Sequence, residues 1–229
     1  MLKQFPKLTK FRALAALSFF YLLQISTNVT ANSDAQLSYY WDNRDFNTTT
    51  LQLSASDLGG GLSFWGFTDF HSDQNNADKR YDNSRTFSEY RLSSNSLGEV
   101  SGIDGLALQA EYNDFTTGNN NTTWRGGLTY KQQSGFGWAQ LRILPVQSEG
   151  QGQISLIYFV KINDWMNFSG FADYNFLDEN QEVLVAEPQF NLQLFKRTWG
   201  LIEYRYNGFE AKNPALKGEG WAVGLRHDF

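Results

Sequence analysis

The 229-residue chain has no cysteine and only two histidines, His71 and His227. With no cysteine there is no disulfide framework and no thiolate metal site. Two histidines far apart leave little for hydrolysis, which usually needs a histidine base beside a serine or a carboxylate. His71 has Asp69 and Asp73 close in sequence but no nucleophile motif with it. His227 falls on the apolar face of a strand. Neither has a second histidine nearby for a metal, so no catalytic residue, metal or other cofactor is expected. Long hydrophobic runs are also missing. After the first 31 residues the longest uninterrupted aliphatic or aromatic run is Leu156 to Val160, far short of the roughly 20 residues of a spanning helix. Basic charge is scarce as well. Beyond position 31, 15 Lys and Arg stand against 24 Asp and Glu, which argues against a nucleic-acid partner because phosphate binding needs a basic face.

What is present begins with a leader pattern. Lys3, Lys7, Lys10 and Arg12 precede the apolar stretch Ala13 to Ile25, and Val29-Thr30-Ala31 supplies small or tolerated residues at a cleavage point. Residues 1–31 read as a secretory signal, and residues 32–229 as the folded domain.

That domain alternates apolar and polar residues. In the last twelve, GEGWAVGLRHDF, Trp221, Val223, Leu225, His227 and Phe229 share one side, and Ala222, Gly224, Arg226 and Asp228 the other. Side chains alternate across a strand. A soluble sheet that ends on such an edge invites aggregation, whereas a membrane barrel closes its last strand on its first and turns its apolar face to lipid. The pattern recurs over 36–42, 47–56, 62–71, 84–94, 105–114, 122–132, 136–146, 153–162, 165–176, 183–195 and 198–207. This predicts an all-β, antiparallel up-and-down transmembrane barrel of about twelve strands, each about ten residues long, the length that crosses a tilted bilayer path. Ten strands also fit if residues 36–56 pair differently. Short connections (DLGGG, QSG, ND, KR) alternate with longer polar ones (SDQNNADKRYDN, TTGNNN, LDENQE, GFEAKNPALK), and Asn95 to Asp104 is long where a short one is due. Pro188 lacks an N–H for the ladder, so a bulge is expected there.

The stretches TTLQLSASDLGGGLSFWGFTDFHS (49–72) and FSGFADYNFLDENQEVLVAEPQFNLQ (168–193), together with the last strand, resemble the nucleoside-specific outer-membrane channel group (Tsx/OmpK-like), and within it the shorter uncharacterised relatives. Trp65-Gly66-Phe67-Thr68-Asp69 and Ser169-Gly170-Phe171-Ala172-Asp173 carry a shared pattern. The resemblance implies a twelve-stranded barrel in the outer membrane of a Gram-negative cell that admits small solutes, which in the characterised members are nucleosides. The loops here are shorter than in those channels.

With the apolar faces to lipid, the lumen receives Trp65, Phe67, Asp69, Glu89, Arg91, Glu111, Arg125, Arg142, Phe159, Lys161, Phe171, Asp173, Glu187, Gln189, Glu203, Arg205 and Arg226. Of these, Trp65, Phe67, Asp69, Glu89, Arg91, Glu111, Arg125, Phe171, Asp173, Glu187 and Arg205 are candidate solute-binding residues. Aromatic rings beside carboxylates and arginines suit a planar ring and its hydroxyl groups. Three functions stay open on these residues: a channel for small polar solutes, a structural barrel or surface receptor, and an outer-membrane hydrolase, the histidines disfavouring the last. The expected partners are outer-membrane lipid, a small-molecule solute, and the barrel assembly machinery through the strand ending at Phe229.

Overall fold

In the computed structural model the described residues are 31–74, 85–116, 121–148, 150–177, 181–211 and 218–229. All but the last residue of the expected leader lies outside them. Twelve strands follow in chain order: β1 (Asn32–Asp42), β2 (Phe46–Ser56), β3 (Leu62–Asp73), β4 (Arg85–Ser94), β5 (Leu106–Phe115), β6 (Asn121–Ser134), β7 (Gly137–Gln147), β8 (Gly152–Lys161), β9 (Met166–Leu177), β10 (Gln181–Phe195), β11 (Thr198–Asn207) and β12 (Glu219–Asp228). Each pairs antiparallel with the next, and β1 closes on β12 from Gln36↔Asp228 to Asp42↔Ala222. Residues 36–56 therefore form two strands paired with each other, and the ten-strand alternative is excluded. Closure leaves no open ladder, which is what lets a sheet sit in hydrocarbon.

One rim carries short turns and is called here the turn end. At residues 57–61, Asp57, Gly59, Gly60 and Gly61 all have φ between 58° and 92°, the left-handed region that glycine enters without cost. A Cβ on Gly61 would also stand 1.6 Å from Asn95 Oδ1. The long connection on this rim, foreseen as an exception, holds a short helix α1 (Ser96–Ser101) ended by Gly102 at φ 71°. In the β8–β9 turn Lys161 pairs with Asp164 at 2.6 Å, and this holds the exposed Asp164 carboxyl below its ordinary range. So exposed a pair adds little stability. The opposite rim, the loop end, carries long connections after β3 and β11 (residues 74–84 and 208–218), whereas β5 and β6 are joined by residues 116–120 and β9 and β10 by residues 178–180 alone, no longer than the turns of the other rim.

Pro188 makes no bulge. It pairs with Gly170 in unbroken register on the β9 side. Toward β11 the pairing lapses between Ala186↔Tyr206 and Gln189↔Glu203, then resumes in the same register. The missing N–H costs a gap in one ladder, not an extra residue. Irregularity falls elsewhere. β7 fits three steps (Ile143 to Val146) against two of β6 (Leu128 to Gly126), placing the bulge at Leu144–Pro145. A second register shift lies at Gln193/Phe195, beside the Lys196–Arg197 turn. Gly170 is constrained by space, since a Cβ there would meet the Glu187 carbonyl at 2.4 Å.

The barrel is inside-out relative to a soluble domain. Among the described residues, five hydrophobic side chains are buried against twenty polar or charged ones. Outward on the wall lie Leu51, Leu92, Leu108, Leu128, Leu141, Leu156, Ile202 and Val223, all exposed. Exposed aromatics edge this band at both rims, with Trp41, Trp124 and Trp221 toward the loop end and Phe136, Trp165 and Phe195 toward the turn end. An apolar belt between aromatic girdles is the outer surface of a transmembrane barrel.

Candidate functional site

The inward faces of the strands meet in two arginine-centred braces. The first is built on Arg142 of β7, which has no exposed surface. It donates to Glu111 Oε2 on β5 at 2.7 Å, to Ser155 Oγ on β8 at 2.8 Å and to Asp173 Oδ1 on β9 at 3.2 Å. Glu89 of β4 lies 3.6 Å away, and Ser155 also donates to Asp173. Glu111, 1% exposed, takes a further bond from Arg125 on β6 at 2.7 Å and lies 3.5 Å from Arg91 of β4, while Arg91 pairs with Glu89. Three arginines and three carboxylates thus tie β4 through β9 together.

The second brace is built on Arg205 of β11. It pairs with Glu203, donates to Asp42 Oδ2 on β1 and Thr48 Oγ1 on β2 at 3.3 Å each, and lies 4.8 Å over the Tyr40 ring. Arg44 holds the same Asp42 through Nε and Nη2. Tyr40 spans from β1 to β10, donating to Gln189 Oε1 at 2.9 Å. Most of these groups are buried, so the middle of the barrel is narrowed by its own side chains. A buried ion pair is weak evidence of net stability, because desolvation offsets attraction. Its effect here is geometric, since each brace fixes where the wall can stand.

The braces lie against opposite parts of the wall, and the remaining candidates sit on β3 and at the β9–β10 seam, where one brace gives way to the other. β3 and β9 are six strands apart in a ring of twelve, so they face each other. On β3, Trp65, Phe67 and Asp69 point inward and stay partly exposed. Arg91 sits 4.1 Å over the Trp65 ring, and Trp65 and Phe67 lie 5.4 Å apart. Asp69 accepts from Thr50. On the far side Phe171 of β9 is opposite Glu187 of β10 in register, both partly exposed. Among the described residues neither Asp69 nor Glu187 has a cation within ion-pair distance. The eleven candidates therefore divide. Glu89, Arg91, Glu111, Arg125, Asp173 and Arg205 belong to the braces, while Trp65, Phe67, Asp69, Phe171 and Glu187 line what remains between them.

The sequence reading missed Tyr40, Asp42, Arg44 and Thr48, which complete the second brace, and the inward rings Phe87 and Phe115. Period-two counting from Glu89 and Glu111 would have placed both phenylalanines in the lumen. Tyr40 and Asp42 lie on the polar face of β1, but nothing local shows that they reach β10 and β11. His71 faces inward and shares a hydrogen bond with Thr48 at 3.1 Å. His227 is outward beside Thr198 and Phe229.

A closed antiparallel barrel of twelve strands, apolar outside and ionic within, is the porin class of fold. Solved structures agree. A KdgM porin superimposes with a TM-score of 0.54 at 10% identity, covering 86% of this chain and 99% of the other. A KdgM porin in complex with disordered oligogalacturonate gives 0.53 over the same shares, again at 10% identity. No family model and no curated protein matches the sequence.

Proposed function

We propose that this protein is an outer-membrane channel through which small polar solutes pass, in the outer membrane of a Gram-negative cell. The observation that carries the reading is the inversion of the wall, with leucines and aromatics toward lipid and charged or polar side chains toward a lumen. A porin-like fold supports it. So do partly exposed inward groups between the two braces, since a pore needs weak, repeated contacts and not one tight site. Lipid is the partner of the outer wall, and the strand ending at Phe229 is the segment offered to the barrel assembly machinery.

Nucleosides are the finer reading. They are supported by the resemblance at residues 49–72 and 168–193 and by rings (Trp65, Phe67, Phe171) placed beside Asp69, Glu187 and Arg91. An oligogalacturonate, the ligand named with one similar fold, is a polyanion. The charged candidates between the braces, Asp69 and Glu187, are acids, which disfavours such a chain here.

Planar-bilayer recording of the refolded protein tests the channel. Steady conductance is expected, and adenosine should reduce it in a saturable way. A barrel that inserts but never conducts would make it a structural or receptor barrel. Phe171→Ala should change adenosine uptake into liposomes while heat-modifiable migration on gels is retained. Unchanged uptake would remove Phe171 from the solute path.

A further inference from the structure

His71 lies near the loop end of β3, and its rung of the sheet sets its surroundings. Thr48 of β2 stands across one ladder and Arg85 of β4 across the other. The ring meets Phe46 edge to face, with centroids 5.4 Å apart and planes at 87°. Its Nδ1 lies 3.1 Å from Thr48 Oγ1. Arg205 Nη1 donates to the same oxygen at 3.3 Å. A guanidinium has only protons to give, so Arg205 takes a lone pair of the hydroxyl. Among the described residues the hydroxyl proton then has one acceptor in reach, His71 Nδ1. The relay from Arg205 through Thr48 to His71 thus calls for a neutral imidazole with its proton on Nε2. Thr48 has no exposed surface, so luminal water does not replace Nδ1 as that acceptor. His71 itself is partly open to the lumen.

A proton taken from luminal water goes to Nδ1, the ring nitrogen that keeps a lone pair. Nδ1 then faces Thr48 as a donor, and the hydroxyl proton loses its acceptor in a place water does not reach. A buried hydroxyl left without its partner is costly. The new charge also meets charges from every side. Arg44 comes from the β1–β2 connection, Arg85 from β4 and Arg205 from β11. Asp45 of the same connection is exposed at the rim. Asp42 of β1 and Glu203 of β11 are acids, but Arg205 already holds both, and Arg44 also holds Asp42. β2 supplies no charge, only Thr48 and Phe46. On β3 itself Asp69 and Asp73 lie two residues to either side, on the same inward face. An imidazolium is therefore repelled from the wall and drawn over the passage.

We infer that His71 is a proton-operated latch at the loop-end mouth. Neutral, it lies against the wall between Thr48 and Phe46 and leaves the mouth open. Protonated, it lets go of Thr48 and swings toward Asp69 and Asp73, across the entrance. Arg205 keeps Glu203 and Asp42, so the brace survives and the movement is reversible. The narrowing of the passage rests on the channel reading, whereas the neutral ring held by Thr48 does not.

The chain has only two histidines, so isotope-labelled ring nitrogens report each one separately by NMR. His227→Gln assigns the signals without touching the latch. The full barrel in detergent micelles is titrated from about pH 7.5 to about pH 4.5, a window that spans the ordinary imidazole range. Current through planar bilayers is recorded over the same window. At the upper end His71 is expected as the neutral ring with its proton on Nε2. Thr48→Val, which keeps the shape and removes the hydroxyl, should lose that preference. As His71 takes up its proton the current should fall in step, and it should return when the pH is raised. His71→Gln, which still accepts from Thr48 but does not titrate, should lose markedly less current. Heat-modifiable migration reports whether each variant is folded. A proton on Nδ1 at the upper end, titration of His71 with no change in current, or the same loss in His71→Gln would overturn the latch. No current at any pH would sink the channel reading and the closure with it, while the tautomer in the same sample still reports whether Thr48 holds the ring.

Discussion

Arg142→Ala is expected to destabilise the barrel by about 3–5 kcal/mol, the usual consequence of stranding buried charge partners. The side chain has no exposed surface and touches Glu111, Asp173 and Ser155 directly, with Glu89 close by. Removing it leaves the acids of three strands facing one another, with Arg91 and Arg125 alone to neutralise Glu89 and Glu111. Water entering the space left behind would solvate part of that charge, so the lower end of the range applies if the lumen floods. The diagnostic is non-additivity. Glu111→Gln should be less harmful in the Arg142→Ala background than in the native protein, since it removes a carboxylate that has lost its partner. Urea unfolding in detergent or liposomes, followed by heat-modifiable migration, gives both numbers. Equal effects of Glu111→Gln in the two backgrounds would mean that the brace is not an interacting unit.

Leu156→Arg should cost about 2–4 kcal/mol, as a cation on the lipid face near the bilayer midplane does. Leu156 is the fifth of ten residues in β8, 45% exposed, and pairs with outward Leu141 and Ala172 on either side. The guanidinium would have to reach a rim several residues away. Gln140→Arg on the inward face of β7 is the control, and it should be far milder because it meets the lumen. The measurement is the yield of folded barrel in liposomes across a urea series. If the two arginines are tolerated equally, the outward assignment of β8 is wrong.

The architecture was legible because a strand with one apolar face writes its register directly into the chain. In β11 the predicted and observed bounds coincide, and most other strands differ by one or two residues. The first strand was read short. Asn32 to Asp34 is polar and exposed, and pairing with β2, not alternation, extends the sheet through it. Pro188 misled because a missing N–H has two remedies, a bulge or an unpaired gap, and the sequence does not show which neighbour the N–H would have faced. The inward direction of Asp69, Glu89, Glu111 and Arg205 was also visible in the alternation. Their partners were not. Arg142 joins residues 31 positions away on both sides, and Tyr40 meets Gln189 149 positions on. Such chords depend on shear and barrel radius, which no local pattern encodes. This is why the division of the candidates into braces and open slot emerged only from the structure.

The central claim is that one face of every strand touches acyl chains and the other does not. Because the chain has no native cysteine, single cysteines along β8 can carry a fluorophore without ambiguity. Quenching by lipids brominated on their acyl chains should be strong at Leu156, Tyr158 and Val160 and weak at Ile157 and Phe159, a strict two-residue rhythm. Uniform quenching along the strand, or none at any position in a folded, liposome-bound sample, would contradict the account.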